Sequence, residues 1–310
     1  MRYEEVYLSE DRRTRLDCYL LDPEVATGSY KTRPAVMITP GGAYLSLAHR
    51  EGEPVAVRFL GLGYDVFVLR YHVYVTAPPS EPGGMPQVDS SSQYPLQIVD
   101  AMRALAYVRK HADTWDIDTS RVYALGFSAG AHVVGSLAER FDDAELLALA
   151  GATADAVRPS GLVLCYPMIS AEKLCHVEPD ASPEQRSGAE LVKRAIFGKD
   201  DPSAEDYARV DLRRHVRPDM PRTFIWQTSE DEVVASYETT ELVALLQRVG
   251  VPVEHHLYER GIHGLALADR STASREDLVN EEAATWVGLC ASWLALDAGG
   301  ELSHRSLTCL

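Results

Sequence analysis

Apolar residues in this chain gather into short unbroken runs, separated by stretches in which they recur every three or four positions. Residues 35–39 (AVMIT), 65–71 (DVFVLRY), 161–166 (GLVLCY) and 223–228 (TFIWQT) read as strands buried on both faces. Residues 252–258 (PVEHHLY) form the last strand of the series. Helical spacing is expected around 53–60, over 95–111 (Leu96, Val99, Met102, Leu105, Val108) and over 236–249 (Leu242, Leu245, Leu246, Val249). A final helix is expected over about 280–296. Residues 3–8 (YEEVYL) and 15–21 (RLDCYLL) flank a charged turn and predict an antiparallel hairpin at a sheet edge. A loop through Gly28 and Lys31 then leads into AVMIT. Strands alternating with helices define the α/β class, with a mostly parallel sheet covered on both faces.

Two stretches interrupt the alternation. Residues 74–94 are rich in Pro, Ser and Gly, which reads as a functional rim loop or lid, or else as a surface insertion. Residues 170–218 carry short helical pieces (184–197, 204–210) and many charges, as a cap-like insertion over the C-terminal edge of the sheet would. There is no internal repeat and no linker, so 1–310 is read as one domain.

Charge narrows the partners. With 46 acidic and 30 basic residues the net charge is −16, which argues against nucleic acid or an anionic membrane and favours a neutral or weakly charged substrate. Cys18, Cys165, Cys175, Cys290 and Cys309 are odd in number, scattered and without a C-x-x-C pair, so they are expected to be reduced. The first fifteen residues are polar, and no apolar run approaches a membrane span; a soluble cytoplasmic protein is expected.

The chemistry centres on residues 121–134 (RVYALGFSAGAHVV). A strand-like run leads into Gly126-Phe127-Ser128-Ala129-Gly130 and continues with helix-compatible residues. G-x-S-x-G alone is common in small-residue turns. Between strand and helix it becomes a nucleophile elbow, with Ser128 on a strained turn and glycines where side chains would collide. A serine hydroxyl needs a base, and the base an orienting acid, in the chain order Ser, acid, His. After TFIWQT come Ser229-Glu230-Asp231-Glu232-Val233-Val234. Asp231 is favoured as the acid because the following valines return to the core, with Glu230 as the alternative. After PVEHHLY comes His263 between Gly261 and Gly264. Pro40-Gly41-Gly42-Ala43 follows the first central strand, so the N–H of Gly42 or Ala43, with that of Ala129, could bind an oxyanion. Tyr44 is expected to line the substrate pocket; His132 either lines it too or, the favoured reading, satisfies a buried hydrogen bond. His255 and His256 alternate along a strand and cannot chelate one metal together.

These residues resemble the α/β-hydrolase superfamily, and within it small carbohydrate acetyl esterases (acetylxylan and bifunctional feruloyl/acetyl esterases). The resemblance rests on 39–56 (TPGGAYLSLAHREGEPVA), 65–73, 94–112, 117–133 (IDTSRVYALGFSAGAHV), 229–234 (SEDEVV) and 258–269 (YERGIHGLALAD). It implies an eight-stranded sheet, no metal or cofactor, and ester hydrolysis through an acyl-enzyme on Ser128, with Asp231 and His263 completing a triad. Ala43 and Ala131 stand where such proteins have glycine, and Ala235 where they have proline. The expected function is a serine carboxylesterase releasing acetyl or another short acyl group from a small-molecule or oligosaccharide ester, without nucleic-acid or membrane partners; homo-oligomerisation is left open. The alternatives on the same site are an arylformamidase, a peptidase or a lipid or xenobiotic esterase. A non-catalytic hydrolase-like binding protein is the alternative from another class.

Overall fold

The computed structural model describes residues 1–23, 32–81 and 84–296. The loop through Gly28 and Lys31, two residues of the 74–94 stretch, Cys309 and the rest of 297–310 lie outside the described residues. The strands are β1 (Arg2–Tyr7), β2 (Arg15–Leu20), β3 (Arg33–Thr39), β4 (Asp65–Arg70), β5 (Val75–Ala77), β6 (Gln87–Val88), β7 (Ile117–Phe127), β8 (Leu162–Cys165), β9 (Thr223–Thr228) and β10 (Val253–Tyr258). Eight of them form one sheet in the order β1-β2-β4-β3-β7-β8-β9-β10. The first two pair antiparallel, β2 runs antiparallel to β4, and the remaining pairs are parallel. This is the mostly parallel sheet with an edge hairpin that the hydrophobic runs predict, with the eight strands that the family resemblance implies.

Both faces are covered because each central strand sends alternate side chains to opposite sides. Along β3, Ala35 and Met37 join one core, while Val36 and Ile38 join the other. The helices are α1 (Glu53–Leu60), α2 (Leu96–Lys110), α3 (Ala112–Trp115), α4 (Ala129–Glu139), α5 (Ala144–Ala150) and α6 (Ala154–Val157). They continue with α7 (Glu172–Cys175), α8 (Pro183–Phe197), α9 (Ala204–Val210), α10 (Ser236–Arg248), α11 (Glu281–Ala284) and α12 (Trp286–Ala295). α2 and α4 pack in the first core, whereas α1 and α12 pack in the second.

Two details differ from the pattern read along the chain. The 74–94 stretch is not wholly irregular, because β5 and β6 pair as a short antiparallel ribbon. The last helix is broken at Thr285, whose hydroxyl donates to the Glu282 carbonyl at 2.6 Å and so competes with the helical ladder. In 170–218, α8 and α9 each begin with a capping box, Ser182 with Gln185 and Ser203 with Asp206. These local caps make that segment helical even though its composition is highly charged.

Candidate active site

β7 ends at Phe127, and Ser128 follows in the left-handed region (φ 51°) before α4 begins. The turn closes only because its flanks lack Cβ atoms. A Cβ on Gly126 would lie 2.4 Å from the Gly130 carbonyl oxygen, and one on Gly130 would lie 2.0 Å from that of Thr39. Ser128 is thereby held at the C-terminal edge of the sheet, 7% exposed, against the loop after β3.

Three separate segments meet at this turn. His263 Nε2 lies 2.9 Å from Ser128 Oγ, and His263 Nδ1 lies 2.7 Å from Asp231 Oδ2. The other oxygen of Asp231 accepts the N–H groups of Val233 (2.9 Å) and Val234 (3.0 Å), which fixes the carboxylate on its own loop. Val234 is buried while Val233 is exposed, so one of the two valines returns to the core. Glu230 takes a different position. Its carboxylate accepts the N–H of Gly261 at 3.0 Å, clasping the loop that carries His263 without reaching the ring. Thr228 Oγ1 donates to the Gly261 carbonyl at 2.7 Å, and Trp286 Nε1 donates to that of Ala266 at 3.0 Å. The histidine loop is therefore tied at both ends to β9 and α12.

The loop after β3 coils tightly, with Gly42, Ala43 and Tyr44 all at positive φ (130°, 55°, 63°). A Cβ on Gly42 would lie 2.0 Å from the Ser46 carbonyl oxygen, so glycine is required there. Among the described residues, no hydrogen bond uses the backbone N–H of Gly42, Ala43 or Ala129. These are the donors that an oxyanion beside Ser128 would need.

Two candidates for the pocket wall are elsewhere. Tyr44 and His132 are fully buried. The Tyr44 hydroxyl lies 2.6 Å from His132 Nδ1, and His132 Nε2 lies 2.6 Å from the Val210 carbonyl oxygen. A carbonyl only accepts, so Nε2 carries the proton and Nδ1 accepts from the tyrosine. Burial pushes the His132 pKa down to about 4, which keeps the ring neutral. The pocket-wall expectation is thus corrected for Tyr44, whereas His132 follows the buried hydrogen-bond reading favoured from the sequence: the two satisfy one another inside the core, and the backbone of Tyr44 rather than its ring shapes the loop.

Glu51 and Tyr166 have site positions that periodicity does not reveal. Glu51 is 3% exposed; its Oε2 accepts the Gly41 N–H at 2.7 Å and its Oε1 the Tyr166 hydroxyl at 2.8 Å. Burial pushes its carboxyl pKa up, although both hydrogen bonds oppose the shift. The Tyr166 hydroxyl also accepts the Ala266 N–H at 3.0 Å, and its ring meets His263 edge-on with centroids 5.0 Å apart. The only signal along the chain was an acid between Arg50 and Gly52, which reads equally as an exposed helix start.

Among the described residues, no three His, Cys, Asp or Glu side chains are arranged to hold a metal ion, and no helix is long and apolar enough to cross a membrane. The four described cysteines are free and buried. Behind the acid loop, residues of 170–218 and α10 enclose a cavity of about 890 Å³, where Lys173 Nζ donates to the Asp231 carbonyl at 3.4 Å.

With this geometry the comparisons with known proteins can be read. A family model described as alpha/beta hydrolase fold matches residues 90–267, and the chain belongs to that family. It is 32% identical over 242 residues to endo-1,4-beta-xylanase B of Butyrivibrio fibrisolvens, covering 76% of this chain and 33% of that protein. It is 27% identical over 167 residues to an acetylxylan esterase of Xylanibacter ruminicola, covering 54% of this chain and 28% of that protein. The chain thus spans about a third of the length of these curated relatives. Among solved structures, the acetyl ester-xyloside bifunctional hydrolase of Caldicellulosiruptor lactoaceticus aligns with a TM-score of 0.70 at 26% identity, covering 95% of this chain and 96% of that one. A carboxylesterase of Lactobacillus plantarum WCFS1 aligns with a TM-score of 0.75 at 24% identity, covering 97% and 100%, which supports the fold.

Proposed function

We propose that this chain is a serine carboxylic-ester hydrolase that releases short acyl groups, acetyl first, from carbohydrate esters. The observation that carries the reading is the hydrogen-bonded line from Ser128 Oγ through His263 to Asp231. In the reaction His263 Nε2 accepts the hydroxyl proton as Oγ attacks the ester carbon. Asp231 holds the ring by Nδ1–H and stabilises the imidazolium that forms. Negative charge gathers on the former carbonyl oxygen, where the N–H of Ala129 and that of Gly42 or Ala43 receive it, each contributing about 3 kcal/mol. The imidazolium then protonates the departing alcohol. Water attacks the acyl-serine with the same imidazole as base, and the carboxylic acid leaves.

Acetyl and carbohydrate specificity are supported by the resemblance to an acetylxylan esterase and to an acetyl ester-xyloside hydrolase. The test is hydrolysis of acetylated xylo-oligosaccharides, longer acyl esters and N-formyl amides by the wild type and by Ser128→Ala. Acetyl release by the wild type with loss in the folded variant is expected. Undiminished turnover by Ser128→Ala would refute the assignment, and a preference for formamides would move it to an arylformamidase.

A further inference from the structure

The geometry points to an anion-binding subsite on the active-site edge of the sheet, which receives a carboxylate carried by the alcohol part of the substrate: an acidic oligosaccharide ester. The inference rests on the esterase reading for its chemistry and on a separate set of residues for its specificity. A cavity of about 340 Å³ is lined by Tyr7, Arg12, Arg13, Arg15, His49 and Arg70, together with Leu47. Four of these carry guanidinium groups and none carries a carboxylate. In a chain of net charge −16 this cavity gathers four guanidinium groups, of which Arg13, Arg15 and Arg70 are balanced by neighbouring carboxylates and Arg12 is left as the uncompensated charge.

The guanidinium groups are held in place from below. Asp17, 1% exposed, pairs with Arg15 at 2.7 Å and with Arg70 at 2.9 Å. Arg13 pairs with Asp89, and Arg15 also meets Glu5 at 3.1 Å. The Arg12 guanidinium lies over the Tyr7 ring, 3.9 Å from its centroid, and among the described residues no carboxylate pairs with it. A guanidinium backed by an aromatic side chain and without a carboxylate partner suits fork-like binding of a carboxylate.

Strand register puts this cavity beside the serine. Arg15, at the start of β2, pairs across from Arg70, at the end of β4. β4, β3 and β7 are neighbouring parallel strands whose ends carry Arg70, the Gly42 loop and Ser128 on one edge. Two strand spacings separate β4 from β7 and three separate β2, so the cavity lies roughly 10–14 Å across the sheet from the nucleophile. Between them stands the turn carrying His49, Arg50 and Glu51. The Arg50 guanidinium closely approaches Gly264, beside His263, where a Cβ would lie 2.6 Å from it. A charge read at that distance belongs to an oligomeric substrate and not to a simple acyl ester.

The test compares an acetylated xylo-oligosaccharide bearing a uronate side group with its carboxyl-reduced counterpart, alongside p-nitrophenyl acetate and fluorophosphonate labelling of Ser128. The wild type is expected to favour the uronate-bearing ester by about tenfold in kcat/KM at low salt, expressed in KM, as one charge-assisted pair would give. That ratio, taken within each protein, is expected to fall toward one in Arg12→Gln combined with His49→Gln, and in the wild type at high salt. Arg70→Gln gives a second reading, with thermal melts reporting whether the loss of its Asp17 partner unfolds the edge. Inorganic phosphate is expected to compete with the acidic ester alone. If p-nitrophenyl acetate turns over but the two oligosaccharides do so equally, or if phosphate inhibits both alike, the subsite is overturned while the esterase stands. If neither labelling nor turnover occurs, the esterase reading fails. Calorimetric binding of the deacetylated uronate oligosaccharide against its reduced form then decides the subsite, and equal affinity overturns it.

Discussion

Glu51 grips the N–H of Gly41 at 2.7 Å from inside the core and receives the Tyr166 hydroxyl at 2.8 Å on its other oxygen. One buried carboxylate thereby braces the loop of Gly42 and, through Tyr166, the ring of His263. Glutamine has the same shape but presents a donor to one of these two donors. Glu51→Gln is expected to lower kcat by roughly 10- to 100-fold with little change in KM, and to lower stability by about 1–3 kcal/mol, because one buried donor loses its acceptor. Because the native carboxyl pKa is raised, the folded state binds a proton more readily than the unfolded chain. Wild-type stability should therefore rise as pH falls through that raised value, and the glutamine variant should lack this contribution. Steady-state kinetics and melts across pH 4–8 check both.

Asp231 and Glu230 stand side by side yet touch different partners, the His263 ring and the Gly261 N–H. Asp231→Asn is expected to reduce kcat on acetyl esters by on the order of 10³- to 10⁴-fold, since the amide favours the wrong tautomer. Glu230→Ala, which loosens a loop clasp, is expected to cost about tenfold or less. Equal losses in the two variants would reassign the acid.

Ala43 sits at φ 55° in a turn where a side chain is strained. Ala43→Gly relieves a left-handed conformation worth about 1–2 kcal/mol, partly offset by the greater freedom of glycine in the unfolded chain. A net gain of about 1 kcal/mol in urea denaturation is expected, with esterase activity within twofold of the wild type.

His72 is 6% exposed and lies between two carboxylates, with Nδ1 2.8 Å from Asp100 and Nε2 3.2 Å from Asp11. Burial would lower its pKa, but these partners together raise it above the ordinary 6.5. A raised histidine value contributes stability that is complete below about 6.5 and lost as pH rises through the folded value. Melting temperatures should decline across that alkaline window in the wild type, and His72→Gln should flatten the slope.

The strands, the elbow and the three converging residues were legible because each depends on local signals. Unbroken apolar runs mark 35–39 and 223–228, glycines flank Ser128, and Asp231 and His263 follow strand ends in a set order. What escaped was set by tertiary burial. Nothing in AHREGEP tells whether residue 51 or residue 53 enters the core, although Glu51 is buried and Glu53 exposed. Tyr44 beside a glycine pair reads as a pocket wall, yet the positive φ of the loop turns its ring inward toward His132. The whole-chain charge averages over a surface on which arginines from the edge hairpin and the end of β4 meet at one cavity.

The relay from the Tyr44 hydroxyl through His132 to the Val210 carbonyl joins the turn after β3, the helix behind the nucleophile and the helical segment of 170–218. A graft that exchanged that segment for another would have to present a carbonyl at the same point, or strand a proton donor in the protein interior. The Val210 carbonyl is therefore a fixed point of that segment, alongside the apolar residues Val192, Ala195, Ile196, Phe197 and Leu212 that it buries in the core.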